Sequence, residues 1–432
     1  MSRIKQLLSS KFSNNASWII GAKVYQMAVN LAISMLTARF LGPANFGLIN
    51  YAASYVALFT SLCTLGINNV IVNELINNRN LQGRLLGSSI TMRLISSLLS
   101  LVTILALAWG LNPDEPLTRQ VVLIYSTTLI FQCFDTLNYW YQSNLMSKVS
   151  SRIAIVGYTA GAIYKTVLLV LGKDVRWFAF SHALECAFVA VLLLVFYSRE
   201  MGGTQPLCWS RPHGKSLLRK SYHYILSGLM IAVYGQMDRI MLKEMLGETS
   251  VGYYSAAYTV CTAWPFVLAA IIDSARPIIL EEYKAGSSMY ETHIIRLYSA
   301  IVYISLAVGL VMTVFSKPVI LLLYGREYLP ARGALCILCW FAAFSYLGGA
   351  RSVYTVPQGK QKYEKYLAAA GAVCNLVLNA LLIPVWGING AAFATLITQL
   401  FTNVIMGFFI PAIRENNILI LKSLAVWRHF GR

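Results

Sequence analysis

Residues 238–257 read DRIMLKEMLGETSVGYYSAA. An apolar run closes here with Asp238 and Arg239 side by side, a Leu246-Gly247 turn follows, and a new apolar run starts at Val251-Gly252-Tyr253-Tyr254. The first half of the chain carries an echo. Arg39-Phe40-Leu41-Gly42-Pro43-Ala44-Asn45-Phe46-Gly47 leads into Asn50-Tyr51-Ala52-Ala53. Leu41, Gly42, Gly47 and Ala52 align without gaps onto Leu246, Gly247, Gly252 and Ala257. Both copies lie between the first and second apolar segments of their half. Duplication at half the chain length is a transporter signature.

Composition sets the class. Of 432 residues, 57% are hydrophobic and only 12% charged, against about 25% charged in a soluble protein. Apolar runs of about 20 residues recur along the whole length, enough for a helix to cross a bilayer. The chain therefore reads as an all-α, polytopic membrane protein. The formal charge of +18 does not imply nucleic acid, because the basic residues flank apolar segments and form no soluble basic domain. The basic start MSRIKQLLSSKF leads into a long polar-striped segment, which reads as retained and not cleaved. Cys336 and Cys339 form a C-x-x-C inside CILCWFAAF. That context reads as small packing residues, with no metal site.

Twelve spans are expected, at 16–40, 46–68, 87–110, 119–142, 153–172, 176–198, 221–246, 251–272, 295–316, 332–352, 366–386 and 390–411. The longest basic polar stretch, Tyr197 to Lys220, joins the sixth and seventh and holds Gly202, Gly203, Pro206 and Pro212. The expected organisation is an N-terminal six-helix bundle over 1–200, a linker over 201–220 and a C-terminal six-helix bundle over 221–432. Six spans per half make the repeat parallel. With the N-terminus inside, one side's loops hold roughly two dozen Lys and Arg and the other side's about eight, so both termini read as cytoplasmic. Arg3, Lys5, Lys148, Arg152, Lys220 and Arg428 are among the former. Trp18, Trp109, Trp140, Trp177, Trp264, Trp386 and Trp427 read as an interfacial aromatic belt.

Several spans carry polar stripes, which are costly in hydrocarbon and so mark interior faces. The first has Lys23, Gln26, Asn30, Ser34 and Thr37 on one helical face. The fourth has Gln132, Asp135, Asn138, Tyr139 and Gln142; the fifth Tyr158 and Lys165; the sixth His182 and Glu185. The seventh has Tyr224, Ser227, Tyr234 and Asp238; the eleventh Asn375 and Asn379; the twelfth Thr395, Gln399 and Thr402. Asp238 with Arg239 reads either as an end-of-helix ion pair or as a functional site. His182, His223 and His293 read as interfacial, and the Asn and Thr positions as helix–helix glue. Gly157 and Gly161 predict close helix packing, and Pro265 and Pro384 predict kinks. No Walker A, dinucleotide fingerprint or H-E-x-x-H occurs, so a single-chain ATP-driven pump is excluded and no cofactor is expected.

An ordered set of local patterns resembles the polysaccharide flippase family, the Wzx-type O-antigen translocases, in the superfamily of the multidrug and toxin extrusion transporters. The matching pieces are Ala38 to Gly47, Leu65-Gly66-Ile67, and Gln236 with Asp238 leading to Gly252-Tyr253-Tyr254 and Ala257. Tyr324-Gly325-Arg326-Glu327-Tyr328 follows. Asn375 to Asn379 then runs through Ile383-Pro384 to Gly387-Ile388-Asn389-Gly390-Ala391-Ala392. Residues from about 110 to 200 match only in hydropathy. The resemblance implies two six-helix bundles around a cavity and a bacterial inner-membrane location. It implies an undecaprenyl-pyrophosphate-linked oligosaccharide moved from the cytoplasmic to the periplasmic leaflet, with no chemical reaction. A polysaccharide polymerase and a chain-length regulator are the partners it suggests, besides membrane lipids. Family cavities are cationic, and Lys23, Lys165 and Arg239 are the candidates here, with Asn30 and Arg39 completing the substrate-binding set. Lys23 suits first capture and Arg239 a late outward-facing contact.

The first alternative is a multidrug or cation antiporter on the same fold. It favours acidic cavity residues, and Asp135, Glu185 and Asp238 are its candidates for proton or sodium coupling. The excess of intramembrane cations weighs against it. A lipid II flippase would show two further spans, and a glycan polymerase or ligase a large outer loop; the longest outer loop here, Lys317 to Arg332, is short.

Overall fold

The computed structural model describes residues 11–201 and 205–424, all helices, turns and coil, with no strand among them. Arg3, Lys5, Gly202, Gly203, Trp427 and Arg428, used above for orientation, linker and belt, lie outside the described residues. Among the described residues eleven helices are long and apolar enough to cross a membrane, and the first is two helices joined at Gly42, so twelve follow the expected order, here α1 to α12. α1 (11–41) and α2 (43–63) are the two halves of one long helical stretch, Lys11–Cys63. Next come α3 (Gln82–Leu111), α4 (Pro116–Ser143), α5 (Ser147–Val170) and α6 (Val175–Met201). The second half holds α7 (Arg211–Leu246), α8 (Glu248–Ala285) and α9 (Met289–Val314). It ends with α10 (Ala331–Thr355), α11 (Glu364–Trp386) and α12 (Ile388–Phe408). The protein is thus an all-α polytopic membrane protein with two six-helix bundles in parallel repeat.

The repeat seen in the sequence is also a repeat of backbone conformation. Gly42 has φ 72° and ψ 171° between α1 and α2, and Gly247 has φ 87° and ψ 172° between α7 and α8. That region is open essentially to glycine alone, so both Leu-Gly dipeptides make the same sharp turn for the same steric reason.

The chain divides into two compact units, Met1–Ala232 and Val233–Arg432, with the division inside α7. The polar stretch before α7, with the first turns of α7, packs against the rest of the first unit. Gln205 donates to the Arg79 carbonyl (2.9 Å), Ser88 Oγ donates to the Ser210 carbonyl (3.1 Å), and Lys220 pairs with Glu74 (2.6 Å). Glycine makes this approach possible: a Cβ on Gly87 would lie 2.5 Å from the Cys208 backbone.

Two belt and packing expectations resolve differently. Trp140 is 4% exposed and donates its indole N–H to Gln82 Oε1 at 2.8 Å, so it is a core residue and not an interfacial anchor. The buried amide acceptor explains why an indole can sit there. Trp109, Trp177 and Trp386 are exposed, as belt residues are. Gly157 and Gly161 do mark close packing: a Cβ at either would meet Val189 or Glu185 of α6.

Candidate functional site

In the first unit the predicted stripes of α1, α4, α5 and α6 line two neighbouring cavities. One, of about 370 Å³, is lined by Asn30, Ser34 and Thr37 of α1, Asn50 of α2, Tyr158 and Lys165 of α5, and His182 and Glu185 of α6. Its charged element is an ion pair, Lys165 Nζ to Glu185 Oε2 at 3.1 Å. Lys165 is 8% exposed, and at mid-span such a cation needs a partner or a polar cavity; it has the Glu185 partner and lines the cavity. Gly161, one turn before Lys165, leaves the space into which the Glu185 carboxylate reaches. The His182 ring lies tilted against Tyr125 with centroids 4.8 Å apart. The interfacial expectation for His182 is therefore corrected: it sits one turn from Glu185 on the same face of α6 and lines the cavity. His293, by contrast, pairs with Glu282 at 2.7 Å.

The second cavity, of about 390 Å³, is lined by Gln132, Asp135, Asn138, Tyr139 and Gln142, the whole predicted stripe of α4, with Tyr158 of α5 and Glu185 of α6. α4 breaks here into a tight 3-10 turn over Cys133–Asp135. Arg93 of α3, 4% exposed, holds the break. Its Nη2 donates to the Gln132 carbonyl at 3.0 Å and its Nη1 to Thr136 Oγ1 at 2.7 Å. Arg93 was missed in the sequence reading, although an arginine inside the α3 apolar run was itself the signal. Lys23 and Arg39 are exposed and line neither of these cavities.

The second unit uses its stripes differently. Asp238 of α7 is 2% exposed. It accepts four hydrogen bonds: from Tyr254 Oη of α8 (2.5 Å), Asn375 Nδ2 (3.0 Å) and Asn379 Nδ2 (2.6 Å) of α11, and Thr395 Oγ1 of α12 (2.6 Å). No cation lies within ion-pair distance of it among the described residues. Asn379 Oδ1 is buried beside it without a partner. The four donors compensate the buried charge without neutralising it. Asn375 and Asn379 thus bind a carboxylate besides gluing helices.

Arg239 turns away, and the end-of-helix pair does not form. Adjacent helical residues point about 100° apart. The Arg239 guanidinium donates to Gln236 Oε1 (2.6 Å) and Ser255 Oγ (3.2 Å) and lies 4.5 Å over the Tyr258 ring. Arg351, a second missed arginine, is 2% exposed and bonds Glu364 and Asn403. Among the described residues no three His, Cys, Asp or Glu side chains converge as a metal site would require.

Comparison with known proteins agrees with this architecture. The capsular polysaccharide biosynthesis protein CapF of Staphylococcus aureus is 21% identical over 400 residues, covering 89% of this chain and 96% of that one. Among solved structures, an inward-facing MATE-family multidrug resistance transporter of the MOP superfamily matches with TM-score 0.70 at 17% identity, over 92% of this chain and 96% of that one. The lipid II flippase MurJ, in an inward closed conformation, matches with TM-score 0.74 at 13% identity, over 95% and 91%. The polysaccharide biosynthesis protein family profile matches residues 12–282. The chain belongs to the polysaccharide biosynthesis protein family, on the fold it shares with MATE transporters and MurJ.

Proposed function

We propose that this protein is a flippase that moves an undecaprenyl-pyrophosphate-linked oligosaccharide from the cytoplasmic to the periplasmic leaflet of a bacterial inner membrane, with both termini cytoplasmic. The observation that carries the reading is Lys165, a buried cation on the wall of a polar cavity at mid-span. Moving a bare pyrophosphate and its sugar hydroxyls through hydrocarbon is prohibitive. A cavity cation offsets the phosphate charge and donates charge-assisted hydrogen bonds. Asn30, on the same cavity wall, offers an amide to the headgroup. Lys23 and Arg39, exposed on α1, serve capture. Arg239, steadied by Tyr258, serves the later contact. Transport is by alternating access, with 1–200 and 221–432 as the two bundles and 201–220 as the linker. No bond is made or broken.

Deleting the gene is expected to leave single lipid-linked repeat units on the cytoplasmic leaflet. Drug hypersensitivity with normal lipid-linked glycans would sink the flippase reading and favour the second one, a cation antiporter. One observation favours that alternative: Asp238 is a buried carboxylate with no ion pair among the described residues, beside the orphaned Asn379 Oδ1. Within the flippase reading the same carboxylate is the coupling site for a proton or small cation, and Glu185 a second acid able to exchange its partner.

A further inference from the structure

The cavity beside α4 has a different chemistry from its neighbour. Lys165 and His182 line the first cavity, whereas no Lys, Arg or His lines the second. Asp135, Asn138, Tyr139 and Gln142 all line it, and among the described residues none of the four side chains makes a hydrogen bond or an ion pair, the Arg93 guanidinium acting on Asp135 only through its field. Inside a membrane span, four unpartnered polar side chains on one wall are costly unless something polar faces them. The two amides and the phenol each both donate and accept, and the carboxylate accepts only. A phosphate, which only accepts at its charged oxygens, would meet Asp135 as a like charge. A neutral ring bearing several hydroxyls meets every group with a complement, and its apolar face can lie on Tyr139 or Tyr158.

The wall is held rigidly from behind. Arg93 ties the Gln132 carbonyl and Thr136 Oγ1 on either side of the 3-10 turn, which fixes the direction of Asp135 and of the helical turn that follows. At about 390 Å³ the space falls within the range of small-molecule sites, about 300–1,000 Å³. Tyr158 and Glu185 line both cavities, so a headgroup whose phosphate reaches Lys165 has its sugar end next to α4.

We propose that the α4 cavity is a glycan subsite, taking a neutral pyranose ring of the transported lipid, with Asp135 and Gln142 as hydrogen-bonding residues and Tyr139 as a stacking surface. The proposal rests on the flippase reading above and assigns Asp135 to sugar recognition in place of ion coupling.

The test uses the full-length protein in lipid nanodiscs. Its probes are undecaprenyl pyrophosphate and a panel of undecaprenyl-pyrophosphoryl monosaccharides carrying glucose, galactose, N-acetylglucosamine or N-acetylgalactosamine. At least one sugar form is expected to bind about tenfold more tightly than the bare lipid, the worth of one or two good hydrogen bonds. Asp135→Asn and Gln142→Ala should remove that increment and leave bare-lipid binding intact, which also shows that the variants are folded. Lys165→Gln should weaken all probes alike; if it does not, the anion reading fails while the sugar increment still judges the subsite. Absence of any increment across the panel, or its survival in the Asp135→Asn, Gln142→Ala double variant, overturns the proposal.

Discussion

The packing of α1, α5 and α6 in the first unit and of α7, α11 and α12 in the second are two answers to one problem. Each begins from the same repeated helix, turned by Gly42 or Gly247. In the first unit the polar stripes stand around open space, with Asn30, Ser34, Lys165 and Glu185 on the walls of one cavity. In the second they close on each other, with Asn375, Asn379, Thr395 and Tyr254 all spent on Asp238. The difference follows from which residue occupies the repeated position. In the gap-free alignment Ile33 stands where Asp238 does, and Ser34 where Arg239 does. A lone buried carboxylate draws every donor within reach, whereas a short hydroxyl leaves its surroundings unfilled. The first unit therefore keeps a polar cavity open, and the second closes its polar groups around one carboxylate.

That contrast can be broken most forcefully at Asp238. Asp238→Ala strands four donors, at about 1–3 kcal/mol for each buried group left unmade. A stability loss of at least about 3 kcal/mol is expected, read as a lowered unfolding midpoint in detergent; Asp238→Asn should cost less. An unchanged midpoint for the alanine variant would show that the cluster is not closed.

The ion pair of the first unit comes next. Lys165→Met leaves Glu185 part-buried and unpaired, for which about 3 kcal/mol is expected. The double variant Lys165→Met, Glu185→Gln should recover most of that stability while failing to restore polysaccharide display. Recovery of display would show that the pair is only structural.

Smaller again is Gly161→Ala. Its new Cβ would lie 2.5 Å from Glu185 Oε2, so the carboxylate must shift, at about 1–2 kcal/mol. Transport should fall more than abundance, and equal losses of both would argue for packing alone. The smallest effect concerns orientation. Cys208 is exposed, in the stretch that packs on the first unit. An impermeant maleimide is expected to label it only from the cytoplasmic side, with no change in stability; labelling from outside would invert the topology.

Much of this site was legible beforehand. The α1, α4, α5 and α6 stripes were readable because a spanning helix tolerates polar residues only on a protected face. Asn375 and Asn379 were readable as a pair for the same reason. What they faced was not. Arg93 and Arg351 escaped notice because each stands alone in an apolar run, without a stripe to draw attention. Trp140 was misread because position near a span end predicts an interface, and only the neighbouring Gln82 makes burial of its N–H affordable.

The sequence by itself determined the membrane class, the twelve spans, the parallel repeat and the faces that carry polar groups. Apolar length, helical period and the steric freedom of glycine are local properties, readable one segment at a time. Only the tertiary structure decided that Asp238 and Arg239, neighbours in the chain, serve different partners, one sealed among α8, α11 and α12 and the other laid on Tyr258. It also decided that Lys165 meets Glu185 and that the Asp135 carboxylate takes no hydrogen bond or ion pair among the described residues. Periodicity fixes the direction in which a side chain leaves its helix. What stands opposite belongs to another helix, and it is that second helix which makes the same polar residue a closed bond or an open site.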